Sequence, residues 1–117
     1  AIRETLKALR AKTTGKVYVA FHPHLYSRTR DLFEDFSASF ADADKVLIAP
    51  IYAAREADDG SVSSAKLAAR VTERGVDASA PASFAEIEAL LAEAGPGDAV
   101  MTMGAGDIYK VADALVR

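Results

Sequence analysis

The segment Phe21–Asp31, F-H-P-H-L-Y-S-R-T-R-D, gathers two histidines, a tyrosine, a serine and two arginines. Guanidinium groups bind carboxylates or phosphates bidentately, which makes Arg28 and Arg30 candidates for holding an anion. His24, Tyr26 and Ser27 crowd beside them and tip the segment toward that role. The competing reading leaves both arginines solvated and paired with Asp31 and Glu34. His22 and His24 lie two apart, so in an extended segment both project to one side. A metal site needs at least one more ligand, and no residue is spaced to suggest it; the chain has no cysteine.

Two other groups carry polar chemistry. Gly104-Ala105-Gly106-Asp107 follows an apolar run, where glycines permit close backbone approach and a helix N-terminus favours an anion. A tight strand-to-helix turn with Asp107 as N-cap explains the same residues. It is not a P-loop, which requires a Lys-Ser/Thr pair. In Tyr52-Ala53-Ala54-Arg55-Glu56, the two charged residues either pair with each other or reach into a cleft. No nucleophile elbow, Ser-His-Asp order or carboxylate pair stands out, so no catalytic residue and no metal ligand is assigned within the chain.

These residues must be positioned by elements that the hydrophobic pattern outlines. Ile2, Leu6 and Leu9 recur at helical spacing and predict a helix over 2–11. Val17–Phe21 is a continuous apolar run, as expected of a parallel strand covered on both faces. A helix over 29–41 follows, with Leu32, Phe33, Phe36 and Phe40 toward the sheet and Asp31 near its positive end. Lys45–Ile51 reads as a second buried strand ending at Pro50. Tyr52–Gly60 is then a polar loop, and Ser61–Arg74 a helix with Ala65, Leu67, Ala68 and Val71 inward. Residues 75–78 form a short strand. Ser83 and Glu86 make a capping-box pattern before the apolar stripe Phe84, Ile87, Leu90 and Leu91. Gly95–Gly97 is a turn, Asp98–Met103 a third clear strand, and Asp107–Val116 a last helix. Alternating strands and helices imply an α/β, Rossmann-like three-layer sandwich, with a mostly parallel sheet and helices on both faces. In open sheets of this kind, ligands bind outside the carboxyl ends of the strands, where Phe21–Asp31 falls.

A chain of 117 residues is expected to form one domain with a real core. Its net charge of −3 argues against a general nucleic-acid surface. No apolar run approaches the ~20 residues that span a bilayer, and no signal-peptide core opens the chain, so a cytoplasmic protein is expected. The chain opens on a helix, as a piece trimmed from a longer polypeptide, its first strand cut away, would.

Taken in order, F-H-P-H-L-Y-S-R-T-R-D-L-F, I-Y-A-A-R-E, V-S-S and M-G-A-G-D-I resemble the C-terminal domain of the Mur ligases, in particular of the UDP-N-acetylmuramate–L-alanine ligases. The resemblance runs over essentially all 117 residues. It implies that residues 1–117 are the amino-acid-binding domain of a bacterial, cytoplasmic, three-domain enzyme of peptidoglycan synthesis. A UDP-sugar-binding N-terminal domain and a central ATPase domain would be its intramolecular partners. ATP and Mg²⁺, bound mainly by the central domain, would activate the muramic acid carboxylate as an acyl phosphate. The amine of L-alanine then attacks it. On the matching positions His24 and Arg28 would hold the alanine, Arg28 through its carboxylate, while Tyr26, Ser27 and Arg30 shape the same loop. Tyr52, Arg55, Glu56, Gly104, Gly106 and Asp107 are further candidates.

Two positions depart from the family pattern. Leu25 stands where many members carry arginine, and His22 replaces a common glutamine, which weakens any catalytic reading of it. The family's Asp-Asp-Tyr-x-His-His-Pro motif and its P-loop are not among these residues. The isolated chain is therefore expected to be inactive as a ligase. The rivals are a stand-alone α/β domain that binds a carboxylate or phosphate without catalysis, and the related ligase that attaches a preformed peptide to the same sugar.

Overall fold

The computed structural model describes residues 2–104 together with Ile108. Helix α1 (Ile2–Lys12) leads into strand β1 (Val17–His22), followed by two short helices, α2 (Tyr26–Asp31) and α3 (Phe33–Ser37). Strand β2 (Lys45–Ile48), helix α4 (Ser64–Glu73), strand β3 (Asp77–Ser79), helix α5 (Phe84–Leu91) and strand β4 (Ala99–Gly104) complete the described elements. The expected helix over 107–116 lies outside the described residues.

The four strands are all parallel, in the order β3-β2-β1-β4. Every residue of β1 is buried, because the central strand is covered on both faces. Alternation along it feeds two cores. Val17, Val19 and Phe21 face Leu6 of α1, Phe40 beyond α3, and Leu67 and Val71 of α4. Tyr18 and Ala20 face Ile87 and Leu91 of α5, with Ile108 beside them. Helices thus lie on both faces of the sheet, as the pattern predicts. No helix among the described residues is long and apolar enough to cross a membrane.

Several boundaries differ from the sequence reading, each for a local reason. The helix expected over 29–41 starts earlier and breaks at Leu32, whose φ −107° and ψ 17° leave the helical region. The break lets Phe36 and Phe40 both close on Phe21, with ring centroids 5.2 and 5.5 Å apart. Asp31 consequently ends α2, and Glu34 and Asp35 occupy the first turn of α3 instead. Strand β2 stops at Ile48, although the Ala49 amide still donates to the Phe21 carbonyl at 2.8 Å. Helix α4 begins at Ser64, because the Ser63 hydroxyl caps it by accepting from the Lys66 amide at 3.1 Å. Ala65 is exposed, whereas Leu67, Ala68 and Val71 are buried.

The short third strand falls at Asp77–Ser79 rather than over 75–78. The capping pattern at Ser83 forms. Its hydroxyl accepts from the Glu86 amide at 3.2 Å, and Glu86 reaches back to the Ala82 amide at 2.7 Å.

Candidate functional site

The chain runs from β1 to β2 to β3 in one direction across the sheet, then returns through α5 to place β4 on the other side of β1. The carboxyl ends of β1 and β4 therefore flank a topological switch point, where open α/β sheets leave a crevice. A cleft of ≈ 690 Å³ opens there, lined by His22, His24, Arg28, Leu32, Met103 and Gly104, with the first turn of α1 on its rim. The polar segment singled out in the sequence supplies one wall of this cleft.

Backbone geometry explains how that wall is presented. Past the end of the sheet, His24 and Tyr52 form an isolated parallel bridge, so the β1–α2 and β2–α4 loops are stitched together. The Tyr52 amide donates to the Pro23 carbonyl at 2.9 Å, and the Leu25 amide to the Tyr52 carbonyl at 2.8 Å. Leu25 adopts φ 66° and ψ 140°. A leucine pays about 1–3 kcal/mol for such a conformation, which persists only where the surroundings enforce it. Here the carbonyl of Leu25 also receives the Thr29 amide at 3.1 Å and the buried Thr29 hydroxyl at 2.8 Å. The turn starts α2 at Tyr26, so Ser27, Arg28 and Arg30 lie on a helix rather than in a loop.

The helix separates the two arginines. Residues two apart face away from each other on a helix, and their surroundings differ accordingly. Arg30 lies 3.4 Å from Asp59 and 3.6 Å from Asp31. Arg28 lines the cleft, and its guanidinium makes no hydrogen bond or ion pair among the described residues. Of the competing reading, the Asp31 contact forms for Arg30 but the pairing with Glu34 does not. That carboxylate takes Arg70 and Arg74 of the next helical segment, each at 3.0 Å, and they hold its carboxyl below its ordinary value of 4.5.

The remaining predicted residues divide. His24 is exposed on the cleft wall, its ring 5.6 Å from that of Tyr52. His22 is buried, edge-on to Phe84 at 5.3 Å and Tyr52 at 5.8 Å. Tyr52 is 45% exposed and shields both histidines from the β2 side. Glu56 directs both carboxylate oxygens at Ser27, one to its amide at 3.0 Å and the other to its hydroxyl. These two bonds, the hydroxyl's first, hold the Glu56 carboxyl below its ordinary value of 4.5. Tyr26 is half-buried in the first turn of α2. Arg55 is exposed and does not line the cleft.

Gly104 lines the cleft, but its missing side chain serves the sheet. It pairs with His22, and a Cβ there would strike the His22 carbonyl. Gly106 and Asp107 lie outside the described residues. Sequence reasoning missed Met103 as a cleft residue because only the chain reversal brings β4 beside β1, and Leu32 because its apolar spacing assigns it to a helix face packed on the sheet. Among the described residues, no group of three histidine, aspartate or glutamate side chains is placed to hold a metal ion.

Comparison with known proteins follows the same outline. Residues 1–106 match the family described as Mur ligase, glutamate ligase domain. Over 117 residues the chain is 44% identical to the UDP-N-acetylmuramate–L-alanine ligase of Acetivibrio thermocellus, covering 99% of this chain and 25% of that protein. It is 43% identical over 113 residues to the enzyme of the same name from Clostridium acetobutylicum, covering 96% of this chain and 25% of that one. The chain thus spans about a quarter of the length of the curated relatives it matches. A solved structure, the UDP-N-acetylmuramate-alanine ligase of Thermotoga maritima, superposes with a TM-score of 0.73 over 98% of this chain and 23% of that one. At 20% identity it speaks for the fold.

Proposed function

The chain belongs to the Mur ligase family, as its C-terminal glutamate ligase domain, and from that premise we propose that it forms the amino-acid wall of an ATP-dependent ligase joining L-alanine to the carboxylate of UDP-N-acetylmuramate. The observation that carries this reading is Arg28: a guanidinium without a protein partner among the described residues, in the switch-point cleft beside His24. A planar fork of donors suits the carboxylate of a small amino acid. With the carboxylate fixed by Arg28 and the alanine flanked by His24, the amine is aimed out of the cleft toward an acyl phosphate on the second substrate. The nitrogen forms its bond to the acyl carbon, phosphate leaves, and the amine proton passes to solvent or a base. Positioning of this kind supplies much of the rate of a two-substrate reaction.

Neither a phosphate-cradling P-loop in the sequence nor a metal cluster among the described residues is available to hold ATP and Mg²⁺ within this domain. In the proposed enzyme the nucleotide and metal are held mainly by a central domain, UDP-N-acetylmuramate by an N-terminal one, and the whole works in the bacterial cytoplasm. The 44% identity to an alanine ligase across the full chain supports alanine over a preformed peptide as the incoming group.

The test is nucleotide turnover by the complete protein. ADP release is expected only when ATP, Mg²⁺, UDP-N-acetylmuramate and L-alanine are all present, and none is expected from the 117-residue chain alone. Turnover with a preformed tripeptide but not with alanine would overturn the assignment.

A further inference from the structure

Arg28 is braced by a residue that does not line the cleft. Glu56 stands 29 positions beyond Ser27, yet both of its carboxylate oxygens bind that one residue. The Ser27 amide belongs to the first turn of α2, where amides have no partner inside the helix. Leu25, at the N-cap, offers no side-chain acceptor. The β2–α4 loop therefore supplies, through Glu56, the cap that α2 lacks in its own sequence. The same loop holds the Leu25 amide through the Tyr52 carbonyl at 2.8 Å and Arg30 through Asp59 at 3.4 Å. Of these three ties, the one through Glu56 grips the residue directly preceding Arg28 on the helix.

We propose that Glu56 is a positioning residue for amino-acid recognition, fixing the first turn of α2 through Ser27 and thereby the direction of the Arg28 guanidinium. This rests on the alanine-binding role proposed for Arg28. Glu56 acts as a carboxylate: the Ser27 hydroxyl and amide hold its carboxyl below 4.5, so it stays charged at neutral pH. The charge matters because an ionised acceptor makes the stronger hydrogen bond. Charge alone is not sufficient, since the two-point grip on amide and hydroxyl is what fixes the helix turn.

The experiment is a double-mutant cycle in the complete enzyme, read as KM for alanine and KM for ATP. Glu56→Ala is expected to raise the alanine KM by about tenfold through misdirection of Arg28. Glu56→Gln, which keeps the size and one acceptor, and Ser27→Ala, which keeps the amide, should each give smaller increases. The ATP KM should stay within about twofold for all three. In an Arg28→Ala background, Glu56→Ala should have almost no further effect on the alanine KM, because its route of action is gone.

Full additivity in the cycle would overturn the proposal, since Glu56 would then act on alanine without Arg28. A parallel rise in both KM values would also overturn it, by revealing damage to the fold. If the unsubstituted enzyme fails to use alanine at all, the ligase assignment itself falls and this inference with it.

Discussion

Replacing Arg28 by alanine in the complete enzyme is the sharpest probe of the cleft. Arg28 makes no ion pair among the described residues, so its removal strands no buried partner and should leave the fold intact. What is lost is the recognition of a carboxylate. Hydrogen bonds to charged groups are worth about 1.5–3 kcal/mol each when formed in protein. Because Arg28 is exposed, the two arms of the fork are screened, and about 2 kcal/mol for the pair is a fair figure. That corresponds to a rise of about 30-fold in the alanine KM. Arg28→Lys keeps the charge and loses the fork, so it should fall between the two. Arg30→Ala is the internal control: its guanidinium is turned to Asp59 and Asp31, and its loss should change the alanine KM by less than about twofold. The assay is ADP release at saturating ATP and UDP-N-acetylmuramate, with alanine varied. An unchanged alanine KM in Arg28→Ala, or an equal rise in the ATP KM, would refute the reasoning.

Two further predictions concern the scaffold. Gly104 holds φ +122°, and a Cβ there would meet the His22 carbonyl, so Gly104→Ala should lower the unfolding free energy by at least about 2 kcal/mol in a denaturant titration. A wild-type midpoint would show that β4 does not pair with His22 as described. The Glu34 carboxyl is held below its ordinary value of 4.5, chiefly by the hydrogen bond from Arg70 and then by that from Arg74. A depressed folded-state value stabilises the fold above pH 4.5, and that contribution is lost as pH falls through the lowered value. Glu34→Gln should therefore flatten the acid limb of a stability-against-pH curve and leave the neutral-to-alkaline shape alone; an unaltered acid limb would show that the α3–α4 ion network contributes nothing.

The parts of the fold legible in the sequence are those where burial is continuous or a cap is local. Val17–Phe21 reads as a parallel strand because both faces are covered, and Ser83 reads as a cap because its partner lies three residues on. Ala65 was misplaced because alanine is small enough for either face, although its position two residues before Leu67 turns it away from the Leu67–Val71 stripe that Ala68 adjoins. The break at Leu32 was invisible for a different reason. Its apolar neighbours keep helical spacing, and only the need for Phe36 and Phe40 to meet the one ring of Phe21 bends the segment. At the site, Arg28 and Arg30 are equivalent by sequence. Asp59, 29 residues away, decides between them, and no local pattern announces a partner at that distance. Glu56 was visible as a charged loop residue, but its grip on Ser27 depends on the parallel bridge between His24 and Tyr52.

That bridge also ties the cleft wall to the end of the sheet. A helix of six residues such as α2 is too short to persist on propensity alone. Its N-terminal turn begins with a leucine at positive φ, a conformation that unaided would relax. The β2–α4 loop opposes that relaxation at two points, by a backbone bridge and by Glu56 on Ser27. Recognition at β1 is thus enforced from β2, its neighbour in the sheet. Under the proposed function this bracing has a use. The wall that must orient the alanine carboxylate is held by contacts within the domain, from the loop that follows its neighbouring strand.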